Sequence, residues 1–375
     1  TADFAHSVQQ ALDGGYIITG YTRSFGNGNS DAWLIKTDSN GQEQWNRTFG
    51  GSNNDTGRSV QRTLDGGYII AGRTESFGNG GSDAWLIKTD ANGFEEWNQT
   101  FGGSSTEFSH SVQQTRDGGY IIIGTTFSFG NGSYDMWLIK TDANGQEQWN
   151  QTFGGSDYEY GYSIQQTLDG GYIIAGSTNS FGNGSSDVWL IKTNTNGQEQ
   201  WNQTFGGTSN DVSYSVQQTL DTGYIIVGDT DSFGNGSSDV WLIKTDPNGF
   251  EEWNQTFGGS NSEAGYSVQQ TLNGGYIITG RTESFSDGAF SAVWLIKTDA
   301  GGQEEWNQTF GEGSNDDRGQ SVQQALNGGY IIAGYTQSYG NDGSVDALLI
   351  KTECENIINE NCDCGADFFM CHDGS

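Results

Sequence analysis

Residues 157–207 read DYEYGYSIQQTLDGGYIIAGSTNSFGNGSSDVWLIKTNTNGQEQWNQTFGG, and this string returns with small changes along most of the chain. One tyrosine marks each copy, because it follows the first tight turn of the unit. These tyrosines are Tyr16, Tyr68, Tyr120, Tyr172, Tyr224, Tyr276 and Tyr330. Their spacing is 52 residues five times and then 54, so the chain contains seven copies of one unit.

Four short segments in each unit have the composition and alternation of β-strands. In residues 157–207 they are YSIQQT, YIIAGST, VWLIKT and QEQWNQTF, with LDGG and an Asn-Gly turn as hairpin connections. A four-stranded unit with a period of about 50 residues cannot bury both faces alone and closes its core against its neighbours in a ring. The sequence therefore predicts an all-β fold, a seven-bladed β-propeller with four antiparallel strands per blade.

The unit resembles the repeats of seven-bladed propellers from bacterial and archaeal secreted and cell-surface proteins. Those repeats carry a Gly-Tyr-Ile/Val-Thr-Gly-Tyr-Thr core and end in Leu/Phe-Gly-Gly, and GGYIIAGST and TFGG match them here. The segment from WLIKT to the following Trp is similar to the tryptophan-docking turn of quinoprotein-type propellers. The resemblance covers about residues 1–352. It implies the fold and a role as an extracellular scaffold, and no catalytic motif comes with it.

The connections indicate the order of the strands within a blade. The two short turns join adjacent strands, whereas the longer GGSNNDTG can cross from the rim of one blade to the hub of the next. SVQQ is therefore predicted to be innermost and EQWNQTF outermost. The middle strands YIIAG and WLIK should be covered on both faces, as their continuous apolar runs indicate.

The seventh unit departs from the pattern after residue 352. We predict a propeller at 1–352 and a cysteine-rich tail at 353–375, with a divergent or missing outer strand in the last blade. Two alternatives remain for that strand: Ile357 and Ile358 form it, or another chain pairs with the open edge of Leu348 and Ile350. A head-to-tail version of the second alternative would build a filament.

The four cysteines all lie in the tail, at Cys354, Cys362, Cys364 and Cys371. Because Cys362 and Cys364 are too close to pair comfortably, we expect each to bond one of the other two. Zinc or haem attachment are the less favoured alternatives. Clustered, even-numbered cysteines are typical of an oxidising compartment, so we expect a secreted or cell-surface protein.

The net charge of −32 and only 15 basic residues argue against a nucleic-acid partner. No apolar run approaches the roughly 18 residues of a membrane span, and Thr1 opens without a leader segment. The seven lysines all occupy one slot in the third strand. We expect each of them to form an ion pair within its own blade.

An acidic residue stands four positions before the serine of every inner strand. These residues are Asp3, Asp55, Glu107, Glu159, Asp211, Glu263 and Asp317. A ring of carboxylates near backbone carbonyls would suit Ca²⁺, which is the only cofactor that the sequence suggests. The alternative is that each carboxylate caps loop amides or pairs with a cation.

The residue just before the inner-strand serine varies most among the units. It is His6, Arg58, His110, Tyr162, Tyr214, Tyr266 and Gln320 in turn. We predict that these residues surround one mouth of the central channel. Since stacking faces and hydrogen-bonding groups occur together there, this rim is a candidate site for a glycan, a peptide or a protein partner.

The recurring N-Q-T string also matches the N-glycosylation sequon. Candidates on the outer strands are Asn46, Asn98, Asn150, Asn202, Asn254 and Asn307, and further matches are Asn54, Asn131, Asn183 and Asn235. Strand alternation places Trp on the buried face of the outer strand and Asn on the exposed face. A glycan there would protect an exposed strand edge from pairing with other chains.

The near-identity of the units favours a non-enzymatic function. The chain has three histidines, His6, His110 and His372, and no nucleophile, base and orienting acid stand out from the repeats. The leading prediction is therefore an extracellular structural or adhesive module, with other protein chains or surface glycans as partners, or a subunit of a larger assembly that forms through the seventh blade and the tail. The alternative is a lectin-like propeller with repeated carbohydrate sites on the face of the variable loops.

Overall fold

The fold was analysed in a computed structural model. It describes residues 2–286, 290–311, 315–326, 328–339 and 344–352, and the backbone alone at 366–370. These residues form 28 β-strands and no helix. Consequently, none of the described segments is a helix that is long and apolar enough to cross a membrane.

Seven strands of each kind repeat along the chain. The first strands are β1 (Asp3–Gln10), β5 (Asp55–Arg62), β9 (Glu107–Gln114), β13 (Glu159–Gln166), β17 (Asp211–Gln218), β21 (Glu263–Gln270) and β25 (Arg318–Gln324). The second strands are β2 (Tyr16–Thr22), β6 (Tyr68–Thr74), β10 (Tyr120–Thr126), β14 (Tyr172–Thr178), β18 (Tyr224–Thr230), β22 (Tyr276–Thr282) and β26 (Tyr330–Thr336). The third strands are β3 (Asp31–Thr37), β7 (Asp83–Thr89), β11 (Asp135–Thr141), β15 (Asp187–Thr193), β19 (Asp239–Thr245), β23 (Ala292–Thr298) and β27 (Asp346–Thr352). The fourth strands are β4 (Glu43–Phe49), β8 (Glu95–Phe101), β12 (Glu147–Phe153), β16 (Glu199–Phe205), β20 (Glu251–Phe257), β24 (Glu304–Phe310) and β28 (Ala366–Met370).

Each set of four consecutive strands forms one antiparallel sheet in chain order, so the molecule is a seven-bladed β-propeller, as predicted. The first strands contact one another around the ring, from β1 through β25 and back to β1. This confirms that SVQQ is innermost and EQWNQTF outermost. The second and third strands are almost entirely buried, as their continuous apolar runs predict.

The hydrophobic core lies between the blades rather than within them. A representative layer joins Ile121 and Leu138 of the third blade to Ile174 and Trp189 of the fourth. Trp149 of the outer strand packs against this layer, with its ring centroid 6.1 Å from that of Tyr172 in the next blade. A blade removed from the ring would therefore expose both of its apolar faces.

The ring closes without a strand exchanged between the first and last blades. The backbone N–H of Asp3 donates to the carbonyl of Val345 at 2.8 Å, and that of Gln10 donates to Oε1 of Gln323 at 2.6 Å. Ala5 and Tyr16 of the first blade also share one core cluster with the seventh blade. The closing junction thus uses the same kinds of contact as the other six.

The seventh sheet has a divergent outer strand rather than a missing one. Strand β28 pairs with β27, with Leu348 opposite Met370 and Ile350 opposite Phe368. The edge that we expected another chain to occupy is therefore filled by the chain itself, which corrects that alternative. The proposed strand residues Ile357 and Ile358 lie outside the described residues, as do Cys354, Cys362, Cys364 and Cys371.

The lysines of the third strands form the predicted ion pairs. Lys192 is 5% exposed, and its Nζ lies 2.9 Å from Oδ2 of Asp169 in the hairpin turn and 2.8 Å from the carbonyl of Thr193. Equivalent pairs join Lys36 to Asp13, Lys88 to Asp65, Lys140 to Asp117 and Lys244 to Asp221. Each pair ties the turn after the first strand to the third strand of the same blade.

Candidate functional site

The variable residue of every inner strand occupies a β-bulge. In the fourth blade Gly161 pairs with Gly176 and Ser163 with Ala175, so Tyr162 has no partner opposite it. A bulged residue interrupts the alternation of a strand and can aim its side chain in a new direction. The glycine opposite the bulge is required, because a Cβ on Gly176 would lie 1.8 Å from the carbonyl oxygen of Tyr160.

The seven bulged residues converge on one cavity of about 230 Å³ at one mouth of the channel. Its lining consists of His6, Arg58, His110, Tyr162, Tyr214, Tyr266 and Gln320. This is the complete set of residues that the sequence placed at the rim. Because each blade contributes a different residue at the same position, the cavity is asymmetric although the blades are near copies.

One side of the cavity is basic. Burial, together with the charges of Arg58 and Arg73, lowers the pKa of His110 to about 3, and burial holds the pKa of His6 well below its usual range. Both imidazoles are therefore neutral at neutral pH. Arg58 has no ion pair or hydrogen bond with any described residue, and burial and the nearby charge of Arg73 lower its pKa.

The other side is an arc of aromatic rings. The ring centroids of His110 and Tyr162 are 5.1 Å apart, and those of Tyr162 and Tyr214 and of Tyr214 and Tyr266 are each 5.3 Å apart. Contacts at these distances hold each ring against its neighbour. The arc thus presents three phenol groups from three consecutive blades to the same cavity.

A carboxylate supports the middle tyrosine. The hydroxyl of Tyr214 is hydrogen-bonded to Asp229, and burial raises the pKa of both groups, that of Asp229 to about 6. Ser238 also lies within hydrogen-bonding distance of Asp229, with 3.4 Å between its Oγ and Oδ2. Asp229 is therefore a partly protonated acid in weakly acidic solution and an anion at neutral pH.

A second variable position supports the mouth, and the sequence analysis missed it. It directly follows the glycine of the second strand and is occupied by Tyr21, Arg73, Thr125, Ser177, Asp229, Arg281 and Tyr335. Each of these residues pairs with the residue two positions before the bulge, as Asp229 does with Val212. The signal was present in the sequence, since YIIxG repeats almost without change and the next residue does not.

Positive charge is concentrated at this mouth. The chain has eight arginines, and five of them, Arg23, Arg58, Arg73, Arg281 and Arg318, lie in the inner two strands on this side or directly after them. Arg281 and Arg318 are ion-paired to Glu283 and Asp316, at 3.2 Å and 3.1 Å. The guanidinium of Arg73 stacks over the ring of Phe108 at 5.2 Å. Arg58 and Arg73 thus provide charge that is not neutralised by a carboxylate of the described chain.

The acidic ring is buried and serves the loops. Glu107 accepts hydrogen bonds from Thr126 Oγ1 at 3.1 Å, from the backbone N–H of Ser128 at 3.0 Å and from that of Gly103 at 2.9 Å. The other six members, Asp3, Asp55, Glu159, Asp211, Glu263 and Asp317, make equivalent contacts. Among the described residues, no group of three or more His, Cys, Asp or Glu side chains is arranged to hold a metal ion. Ca²⁺ binding at this ring stays a prediction, and the contacts favour the capping role.

The sequon asparagines of the outer strands are held at the rim of the propeller. Asn202 Oδ1 accepts a hydrogen bond from Trp189 Nε1 at 3.1 Å, and its Nδ2 donates to Glu199 Oε1 at 2.6 Å. Asn98, Asn150, Asn254 and Asn307 repeat this arrangement, and Asn46 has the bond to Glu43. Of the loop sequons, Asn131, Asn183 and Asn235 are exposed and Asn54 is half-buried.

Sequence comparison gives one distant relative. No protein-family model matches the chain. A stretch of 195 residues is 26% identical to the regulatory protein FlaEY of Caulobacter vibrioides, and this match covers 45% of the chain and 20% of FlaEY. The chain thus spans about a fifth of that relative's length.

Structure comparison gives several propellers at about 10% identity. An ulvan lyase, a polysaccharide lyase bound to a saccharide of GlcA and sulfated Rha, has a TM-score of 0.56 over 93% of this chain and 94% of its own at 10% identity. Sqt1 from Chaetomium thermophilum has a TM-score of 0.51 at 10% identity, with coverages of 94% and 81%. A puromycin hydrolase mutant has a TM-score of 0.53 at 11% identity, with coverages of 92% and 51%. At these identities the likeness shows the fold alone.

The prediction that the chain is not an enzyme is wrong as a conclusion from its fold and repeats. The structures that share the fold include a hydrolase and a lyase. The physical reason is local, because the seven blades contribute unlike side chains at the bulge position. Repeat symmetry in the strands therefore does not make the channel mouth symmetric.

Proposed function

We propose that the chain is an extracellular or cell-surface propeller that binds an acidic saccharide at the mouth lined by the seven bulged residues. This refines the lectin-like alternative, with one asymmetric site in place of repeated shallow ones. Adhesion to surface glycans would follow from such binding.

Arg58 carries the proposal. Its guanidinium lines the cavity, and no described carboxylate neutralises it. Since His6 and His110 are neutral, the charge on this side comes from Arg58 and from Arg73 behind it. A guanidinium presents donors in a planar fork that matches a carboxylate or a sulfate, so a ligand with such a group would offset the charge that the protein leaves unpaired.

The tyrosine arc supports the saccharide part of the proposal. Tyr162, Tyr214 and Tyr266 offer ring faces for the apolar face of a sugar and hydroxyls for its polar edge. Burial raises the pKa of all three, so the phenols stay protonated at neutral pH and can donate hydrogen bonds. The ulvan lyase offers an analogy, since its bound saccharide contains a uronic acid and a sulfated sugar.

Isothermal titration with an oligosaccharide of glucuronate and sulfated rhamnose tests the proposal. We expect saturable binding that Arg58→Gln weakens by about tenfold or more, the effect of losing one charge-assisted contact. Arg62→Gln is the matched control, because Arg62 lies on the same strand beyond the mouth and the substitution removes the same charge. Equal losses in the two variants, or equal binding of an uncharged oligosaccharide, would contradict a site at Arg58.

A second candidate function is self-association into a larger extracellular assembly. It is favoured by the leucines in the turns after the first strands, of which Leu12, Leu64, Leu220, Leu272 and Leu326 are 81–87% exposed. Exposed leucines that recur around one face are typical of a contact with another protein surface. We expect light scattering to show a concentration-dependent increase in mass that Leu64→Ser with Leu220→Ser abolishes. Loss of association on deleting 353–375 alone would instead implicate the tail.

Glycosylation of the outer strands belongs to the same proposal. The six rim asparagines lie on the side of the outer strands that faces away from the core. We expect the intact mass of the native secreted protein to exceed the polypeptide mass by several glycans. A mass equal to that of the polypeptide would contradict this part of the proposal.

A further inference from the structure

The opposite mouth of the channel has a uniform lining. A cavity of about 250 Å³ is lined by one aliphatic residue and one glutamine from each blade. The glutamines are Gln9, Gln61, Gln113, Gln165, Gln217, Gln269 and Gln323. They lie three positions after the bulged residues on the same strands, so the two cavities are at different depths of one channel.

Each of these glutamines bonds to the next blade through its side-chain oxygen. Gln165 Oε1 accepts a hydrogen bond from the backbone N–H of Gln218 at 2.5 Å, and Gln217 Oε1 accepts one from Gln270 at 2.6 Å. The other five junctions have the same bond at 2.5–2.6 Å. Because a backbone N–H can only donate, the atom facing it must be the carboxamide oxygen, and this fixes the orientation of all seven amides.

The orientation leaves seven amide groups with unused donors. Among the described residues, none accepts a hydrogen bond from Nε2 of these glutamines. The adjacent glutamines behave differently: Gln166 Nε2 donates to the carbonyl of Gly170 at 3.2 Å and Gln218 Nε2 to that of Thr222 at 3.2 Å. The unused donors are therefore specific to the ring that lines the cavity.

We propose that this ring of seven carboxamides binds an oxyanion, such as a sulfate, a phosphate or a carboxylate group, on the axis of the channel. Every carboxamide oxygen is already engaged, so the ring offers donors and hardly any acceptors, which suits an anion and not a cation. The lining contains no acidic side chain that would repel the ligand. The proposal does not depend on saccharide binding at the other mouth.

Sulfate is the probe for the first experiment, in the Arg58→Gln background so that the other mouth does not contribute. Side-chain amide resonances of ¹⁵N-labelled protein are followed as sodium sulfate is added at constant ionic strength. We expect a subset of glutamine amides to shift together along one saturable curve. Parallel titrations with phosphate and acetate distinguish which oxyanions fit.

Gln165→Glu is the decisive variant. A carboxylate oxygen can still accept from the N–H of Gln218, whereas the other oxygen replaces the donor by a negative charge. We expect sulfate binding to weaken by about tenfold or more, with an unchanged melting temperature. Gln151→Glu adds the same charge at an exposed position of an outer strand and should leave binding nearly unchanged. Equal weakening in both variants, or glutamine amides that do not respond to sulfate, would overturn the proposal.

Discussion

The two mouths of the channel are built from the same seven strands, yet one is irregular and the other uniform. At the irregular mouth the lining residue is bulged, and His6, Arg58 and Tyr162 occupy equivalent positions. Three residues further along, every blade has glutamine. The difference lies in what each side chain does: the glutamine holds the neighbouring blade through its amide oxygen, whereas the bulged residue makes no bond on which ring closure depends.

This contrast explains how a repeated chain acquires a single site. A position that joins blades must be the same in each of them, since one different residue would leave a backbone N–H of the next blade without its acceptor. A bulged position has no strand partner to satisfy and tolerates His, Arg, Tyr or Gln alike. Asymmetry is thus confined to positions that the ring does not use.

The largest effect is expected from Gly176→Ala, which would break the irregular mouth at its backbone. The added Cβ would lie 1.8 Å from the carbonyl of Tyr160, so the bulge that presents Tyr162 could not form as it does. We expect the free energy of unfolding, measured by chemical denaturation, to fall by about 3 kcal/mol or more. Gly81→Ala is the control, because the nearest atom to its Cβ, Thr106 Oγ1, is 3.4 Å away. A loss in Gly81→Ala equal to that in Gly176→Ala would show that glycine itself, not the bulge, matters.

The second effect is a pH dependence confined to the irregular mouth. Burial raises the pKa of Asp229 to about 6, so the folded protein binds its proton more tightly than the unfolded chain does. Stability from this group is therefore present below about pH 4 and is lost as pH rises to about 6, by about 2 kcal/mol. Asp229→Asn should be more stable than the wild type at pH 7 and lose this slope, whereas exposed Asp157→Asn should keep it. An unchanged slope in Asp229→Asn would assign the titration to other groups.

At the uniform mouth, Gln217→Ala should cost less. It leaves the N–H of Gln270 without its acceptor at 2.6 Å, a loss of about 1 kcal/mol in the free energy of unfolding. Gln320→Ala removes the same kind of side chain from the irregular mouth and should change stability by under about 0.5 kcal/mol. Similar losses in both variants would remove the distinction between a joining and a non-joining position.

Much of this contrast could be read from the sequence, because repetition exposes it. The period predicted seven blades and their strand order, and comparing units at the position before the serine found all seven residues of the irregular mouth. The bulge was not predictable from one strand, since it depends on how Gly161 and Ser163 pair with the second strand. Asp229 and Arg73 were missed because their proximity to the mouth comes from that pairing. The outer strand at 366–370 carries no motif of the repeat, so only the fold identifies it.

The smallest effect concerns the one blade that breaks the uniformity of the hairpins beside the glutamine ring. Thr222 has φ of 71°, where equivalent turns have glycine, such as Gly274 with φ of 89°. A β-branched residue is strained in this left-handed conformation, so Thr222→Gly should raise the free energy of unfolding by about 1 kcal/mol. The reverse exchange, Gly274→Thr, tests the same cause in the next blade and should lower it by a similar amount, because no atom lies within 4 Å of its Cβ. If Thr222→Gly is neutral while Gly274→Thr is destabilising, the fifth blade already relieves the strain through its own contacts, and uniformity at this mouth would rest on the glutamines alone.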